Sequence, residues 1–328
     1  MPYDLISFGD ITTDCFIKLK EARVTCDIHD ENCMLCVRFG QKIPYESAIE
    51  MPAVGNAANA AVSAHRLGLA SALVTNLGDD ENGENCLATL QKEGVPTEFA
   101  RVHKGHKTNY HYVLQYEDER TILIKHEEYP YEFAAFEKSP RWIYLTSLPV
   151  NSLPYQIAIA EYARANNIRL AFQPGTFQIE AGAQSLALVY RATELFFCNK
   201  EESQRILGTS EDDVKKLLKG VRALGPKTVL ITDGCKGAYM ADDSGFWRAP
   251  MYPDSQPPVS RTGAGDATSS TMTSYIAMGM DPKEALLHGI INAAEVVQHV
   301  GAQTGLLSRE EIEKRYVNRP ETFRVSPL

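Results

Sequence analysis

Short apolar runs separated by longer helical stretches recur along this chain, and no other feature restricts its fold as tightly. Leu5-Ile6-Ser7-Phe8, Ser71 to Asn76, Trp142 to Thr146, Leu170 to Phe172, Leu195 to Cys198 and Val229 to Thr232 are strand-length and largely apolar at successive positions. Helical patterns lie between and after them: Ala57 to Gly68, a stretch ending near Glu93, Leu153 to Asn166, Asp212 to Leu224, Asp266 to Met278 and Pro282 to Val300. In the first of these, Ala57, Ala60, Ala61, Ala64 and Leu67 fall on one face. Buried strands alternating with helices predict βαβ units and a mostly parallel sheet covered on both faces. There is no internal repeat, so the expectation is a single α/β domain over residues 1–328.

Two segments break this rhythm. Residues 15–52 contain Phe16-Ile17-Lys18-Leu19 and Met34 to Phe39 with no helix between them. Residues 106–126 alternate through Tyr110, Tyr112, Leu114 and Tyr116, turn at Glu117-Asp118-Glu119, and return through Thr121 and Leu123. Both read as half-exposed antiparallel hairpins. Together they predict a small β-sheet lid over one end of the main sheet, where ligands of such folds bind. Tyr110, Tyr112 and Tyr116 share a strand face, suited to packing the lid against a second subunit or to stacking on a sugar or base. Edge strands in such a lid favour a homodimer paired through it.

Composition excludes several classes. The 328 residues carry 33 Lys and Arg against 42 Asp and Glu, a formal charge of −9, which argues against a nucleic-acid or anionic-membrane binder. No apolar run is long enough to span a bilayer, and the first residues lack the pattern of a secretory signal. Seven scattered cysteines suit reduced thiols in a cytoplasmic protein better than a disulfide framework. Cys26, His29, Cys33 and Cys36 have the ligand types for zinc, but Cys33 and Cys36 would face opposite ways on one strand.

The sharpest chemical signal is Thr262-Gly263-Ala264-Gly265-Asp266-Ala267 at the start of a helix. Small residues allow close backbone approach to a ligand, and successive amides at a helix N-terminus attract an anion. Asp266 either caps that helix or is a carboxylate held beside an anion cradle, suited to deprotonating a hydroxyl as it attacks a phosphoryl group. No Walker A loop occurs in the chain, and no Gly-x-Gly-x-x-Gly follows the first strand, which disfavours a Rossmann dehydrogenase.

Taken with Gly55-Asn56-x-x-Asn59, Asn199-Lys200-Glu201-Glu202, Thr232-Asp233-Gly234-Cys235-Lys236-Gly237 and the segment Gly9 to Asp14, this loop resembles the motif series of the ribokinase-like (PfkB) family of carbohydrate and nucleoside kinases. The resemblance runs from about Gly9 to Gln303. It implies a three-layer α/β/α sandwich with a mostly parallel central sheet and a lid built from insertions 15–52 and 106–126. It also implies an ATP- and Mg²⁺-dependent phosphotransferase acting on a primary hydroxyl of a sugar or sugar-like acceptor.

The resemblance carries roles residue by residue. Asp266 would be the general base, and the amides of Gly263, Ala264 and Gly265 the anion hole. Asp14, Gly55, Asn56 and Asn59 would hold acceptor hydroxyls. Asn199 and Glu202 would organise Mg²⁺ through water. Thr232, Gly234 and Gly237 would line the triphosphate path, and Asn292 would lie near the adenine. Each has a plainer reading: Asp14 a turn residue, Asn59 a helix-surface residue, Asn199 and Glu202 a helix cap, the glycines a hairpin turn.

One departure stands out. Family members carry an Asp before the glycine-rich core that contributes to a K⁺ site, and here Ser260 occupies that place, followed by Arg261, which either meets the loop or phosphate or points to solvent. K⁺ activation is therefore in question. Two alternatives remain. A nucleoside kinase of the same family would need an apolar slot, for which Phe16, Phe39 and Tyr112 offer walls. A non-catalytic sugar- or nucleotide-binding relative would have no need of Asp266. Lys18, Arg38 and Lys107 in the lid offer contacts to a second phosphate if the acceptor is a phosphorylated sugar.

Overall fold

The computed structural model describes residues 2–26, 33–117 and 119–328. The chain opens with β1 (Leu5–Phe8), β2 (Thr12–Leu19), β3 (Arg23–Thr25), β4 (Met34–Cys36) and β5 (Tyr45–Val54). Then come α1 (Asn56–Arg66), β6 (Ser71–Gly78), α2 (Glu81–Lys92), β7 (Ala100–His103), β8 (Asn109–Tyr116), β9 (Glu119–Leu123) and β10 (Trp142–Leu145). The alternating part continues with α3 (Leu153–Ala165), β11 (Arg169–Phe172), α4 (Thr176–Ala181), α5 (Ala187–Ala192), β12 (Thr193–Asn199), α6 (Lys200–Leu207) and α7 (Val214–Ala223). It ends with β13 (Thr228–Thr232), β14 (Ala238–Asp242), β15 (Gly245–Ala249), α8 (Ala264–Ala277), α9 (Pro282–Val296), α10 (Arg309–Val317) and β16 (Ser326–Pro327).

The central sheet has ten strands in the order β16-β15-β14-β13-β12-β11-β10-β1-β6-β7. From β7 to β13 every pairing is parallel, and β14, β15 and β16 add antiparallel strands at one edge. Successive side chains of a strand point to opposite faces, and the core divides accordingly. Leu5, Trp142, Tyr144, Leu195 and Phe197 pack with α8 and α9 on one side. Ile6, Ile143, Leu145, Leu170 and Phe196 pack with α3, α5 and α7 on the other. Apolar material on both faces of each strand is what a sheet buried between two helical layers requires.

The lid is a separate four-stranded sheet, β5-β2-β8-β9. Its β8–β9 hairpin is antiparallel, as the alternation from 110 to 123 indicates, but β2 and β8 pair in parallel and join the two insertions. The long partner of β2 is Tyr45–Val54 and not the 34–39 segment, which instead contributes β4 to a small hairpin with β3. Thr25 and Met34 are register partners in that hairpin, so Cys26 and Cys33 meet one position further on and are joined by a disulfide. The expectation of free thiols fails at this pair, because strand register brings together cysteines that lie seven residues apart. Neither is then a free thiolate for zinc, and His29 lies outside the described residues. Cys15, Cys36, Cys86, Cys198 and Cys235 are free. Among the described residues no helix is long and apolar enough to cross a membrane.

Candidate active site

The central cavity, about 410 Å³, lies between the lid and the carboxyl ends of the parallel strands. Two helix N-termini converge on it. Gly55 precedes α1 with φ 103°, and a Cβ there would stand 2.8 Å from the Asp10 carbonyl oxygen. Gly263 precedes α8 with φ 85°, and a Cβ there would stand 2.4 Å from that of Ala302. Glycine is the residue that accepts this backbone at no steric cost. The turn at Gly263 starts α8 at Ala264, two residues before the sequence suggests, and places the first amides of the helix at the cavity, where an anion is favoured.

Asp266, on the first turn of α8, opens onto the cavity and is held by three side-chain amides. Asn56 Nδ2 and Gln173 Nε2 donate to Oδ1, each at 2.8 Å, and Asn59 Nδ2 donates to Oδ2 at 2.7 Å. Asn59 is itself oriented by Gln303 Nε2, which donates to its Oδ1 at 2.9 Å. The alanine face of α1 lets it lie close against α8, so that Asn56 and Asn59 reach this carboxylate. Burial raises the Asp266 carboxyl above its ordinary value, although the three amides and Arg120 pull it back. A raised carboxyl that remains a hydrogen-bond acceptor is suited to take a proton.

Gln173 escapes sequence reasoning. It stands just past β11, and its Oε1 accepts from Tyr144 Oη at 2.5 Å and from Ser269 Oγ at 3.0 Å, which fixes the direction of its amide. Its only sequence signal is its place at the end of a parallel strand before Pro174, where ligand-facing residues of such sheets sit.

The other expected residues divide as follows. Asp14, Gly55, Asn56, Asn59, Asn199, Glu202, Thr232, Gly263, Gly265 and Asp266 all line the cavity. Asp14 Oδ1 is buried without a hydrogen bond, 3.3 Å from His111 Nδ1, and His111 Nε2 is likewise unpartnered. Asn199 and Glu202 form a reciprocal cap on α6, each side chain accepting from the other's backbone N–H at 2.8 Å. The cap does not remove them from the cavity, and burial together with Asp266 raises the Glu202 carboxyl. A second slot, about 150 Å³, is lined by Thr232, Gly234, Gly237, Ala264 and Gly265, with Tyr252, Ile290 and Ala293 as apolar walls. Thr232 and Gly265 border both spaces, which places the slot beside the anion cradle.

Asn292 does not reach that slot. It is fully buried, donates to Thr271 Oγ1 at 2.8 Å and accepts from the Leu307 N–H at 2.9 Å. A turn of about 100° per helical residue makes its neighbours Ile290 and Ala293 the wall. The aromatic walls considered for a nucleobase are also misplaced: Phe16 is buried, Phe39 is fully exposed and Tyr112 lies on the outer face of the lid, none at the cavity. Tyr110 and Tyr112 share that outer face, their rings 5.1 Å apart, and so do not stack on a ligand. Lys18, Arg38 and Lys107 pair with Glu46, Glu21 and Asp80 away from the cavity.

The cations at the cavity are different ones. Arg120 and Ile122 of β9 face it by the period of two, along with His111 and His126. Arg261 borders it and pairs with Glu119 of the lid at 3.5 Å. Ser260 is buried, and its Oγ accepts from the Thr262 N–H at 3.3 Å.

Comparison with known proteins bears on the family and the fold. Residues 21–309 match the model of the pfkB family of carbohydrate kinases. An uncharacterized sugar kinase of Archaeoglobus fulgidus is 25% identical over 250 residues, covering 74% of this chain and 96% of its own. A nucleoside kinase of Methanothermobacter thermautotrophicus is 26% identical over 271 residues, covering 80% and 84%. In fold, the Arabidopsis thaliana ribokinase solved with ribose and ATP superposes with a TM-score of 0.78 at 19% identity, over 96% of this chain and 98% of that one.

Proposed function

Because the chain belongs to the pfkB family of carbohydrate kinases, we propose that it moves the γ-phosphoryl group of ATP to a primary hydroxyl of a sugar or sugar-like acceptor, with Asp266 as general base. The observation that carries this reading is the carboxylate of Asp266, fixed by Asn56, Asn59 and Gln173 at the helix end whose leading amides face the same cavity.

In this reading the acceptor lies against Asp14, His111 and the α1 terminus, where the unpartnered Asp14 Oδ1 and His111 Nε2 await hydroxyls. ATP lies along Thr232, Gly234 and Gly237 with its base in the apolar slot, so the two substrates meet at Gly265 and Asp266. Asp266 accepts the proton as the hydroxyl oxygen attacks, and the amides of Gly263, Ala264 and Gly265 receive the charge on the transferred group. Phosphoryl transfer leaves the protein mainly positioning and charge neutralisation. The residues present fit Mg²⁺: the Glu202 carboxyl, raised by burial and by Asp266, gains from a nearby cation, and Asn199 stands beside it. That ion would neutralise phosphate charge, bound through water as its reluctance to dehydrate favours.

Asp14, Asn56, Asn59 and Gln173 at the cavity, with none of Phe16, Phe39 and Tyr112 lining it, favour a sugar over a nucleoside. The outer lid face, with Tyr112 and Leu123 about half exposed as cross-strand partners, supports a homodimer through the lid. The decisive test replaces Asp266 by Asn and follows ADP release and nucleotide binding in parallel. Turnover should disappear while ATP still binds; wild-type activity in this variant would reject the assignment.

A further inference from the structure

Most titratable side chains around the cavity meet a partner within the protein. Arg261 faces Glu119 at 3.5 Å, His111 faces Asp14 at 3.3 Å and His126 faces Asp10 at 3.1 Å. Asp266 is met by three amides, and Glu202 by the Asn199 N–H. Arg120 is the exception. It is largely buried, it borders the cavity from the lid, its Nε is buried with no hydrogen-bond partner, and no ion pair joins it to a carboxylate among the described residues. Its cross-strand partner on the same lid face is Gln115, the Arg120 Nε remains without a hydrogen bond, and the next pair along that face is Val113 and Ile122. Glu119 and Asp266 favour its charge from a distance, but no hydrogen bond meets its Nε. A guanidinium largely out of water with hydrogen bonds unmade is costly, and an anionic ligand at the cavity would supply them. The planar fork of Arg matches a carboxylate or phosphate with two parallel hydrogen bonds.

Resting on the kinase reading above, we infer that the acceptor is anionic, carrying a carboxylate or phosphate that pairs with Arg120 beneath the lid. The transferred phosphoryl group already has the amides of residues 263 to 265. A neutral acceptor would leave Arg120 without a direct ion pair throughout substrate binding, whereas an anionic one pairs with it in the ground state. Arg120 therefore sets specificity, and the lid, by supplying it, couples closure to the charge of the acceptor.

The test assays ADP release by the full chain with 2-dehydro-3-deoxygluconate as the carboxylate probe, fructose 6-phosphate as the phosphate probe, and ribose, fructose and adenosine as neutral ones. Wild type should prefer an anionic probe, and which of the two it takes identifies the anion. Arg120→Gln should cut the anionic-to-neutral ratio of kcat/KM on the order of 100-fold, mainly through KM, as expected for losing a hydrogen-bonded charge pair. Arg120→Lys should recover part of it. Thr121→Ala, on the outer lid face, controls for damage to the hairpin, and a melting curve checks that each variant folds. A preference for a neutral probe, or an Arg120→Gln loss that falls on kcat equally for every acceptor, overturns the inference and leaves the kinase reading standing. Should no acceptor be turned over, equilibrium binding to the Asp266→Asn variant decides. Failure of both anionic probes to bind while ATP binds overturns the inference, and failure of ATP to bind overturns both.

Discussion

Replacing Gln173 by Leu probes the least anticipated contact of the site. Gln173 supplies one of the three hydrogen bonds on Asp266, at 2.8 Å, and its own orientation is set by Tyr144 and Ser269. Leu keeps approximate volume and removes the donor. A hydrogen bond to a charged group contributes about 1.5–3 kcal/mol, and one pKa unit corresponds to about 1.36 kcal/mol. The Asp266 carboxyl, already raised by burial, should therefore rise further by about 1–2 units. Asp266 must be ionised to accept the proton, so raising its pKa shrinks its active fraction from the acid side. The acid limb of kcat/KM against pH, which reports the free enzyme, should move to higher pH by that amount. Tyr144 Oη retains Ser269 Oγ at 2.7 Å, so the stability cost should stay within about 1–3 kcal/mol, readable by thermal melting. Gln173→Glu should move the limb in the same direction, because two adjacent carboxyls resist ionising together. An acid limb left in its wild-type position in a folded Gln173→Leu protein would refute the role of this amide in setting the base.

Other perturbations test separate parts of the site. Gly263→Ala forces a Cβ to within 2.4 Å of that of Ala302 at φ 85°; the left-handed backbone alone costs about 1–2 kcal/mol, and displacing one amide should lower kcat about 10²–10³-fold while ATP titration remains near wild type. Exchanging K⁺ for Na⁺ should leave the rate unchanged, since Ser260 brings no carboxylate and its Oγ accepts from the Thr262 N–H; strong K⁺ activation would exclude that. Leu123→Glu, on the exposed outer face of the lid, should convert a dimer to monomer by light scattering, and an unchanged mass would place any dimer interface elsewhere.

The alternation of short apolar runs with helices was enough to expect a layered α/β sheet, because burial on both strand faces writes itself into consecutive residues. Local backbone demands were legible for the same reason: Gly55 and Gly263 stand where a helix must begin at a close approach, and the capping pair Asn199 and Glu202 declares the start of α6. The lid was legible only in part. The β8–β9 hairpin follows from its alternation, whereas the pairing of β2 with β5 across the β3–β4 hairpin depends on long-range register.

What adjacency along the chain cannot convey is which side chains share a cavity. Gln173, Arg120 and Asp266 come from three distant segments; the loop of Asp266 stands out in the sequence, whereas Gln173 and Arg120 look ordinary in their own surroundings, a polar strand end and a charged hairpin residue. Asn292 shows the converse, since its helix was found but its facing was not, and a single residue's rotation about α9 separates the slot from the core. Secondary structure and layering are consequences of periodicity within a window of residues. The chemistry of the cleft is a consequence of strand order and helix crossing, which bring unpaired charge and directed amides together only once the chain has closed on itself.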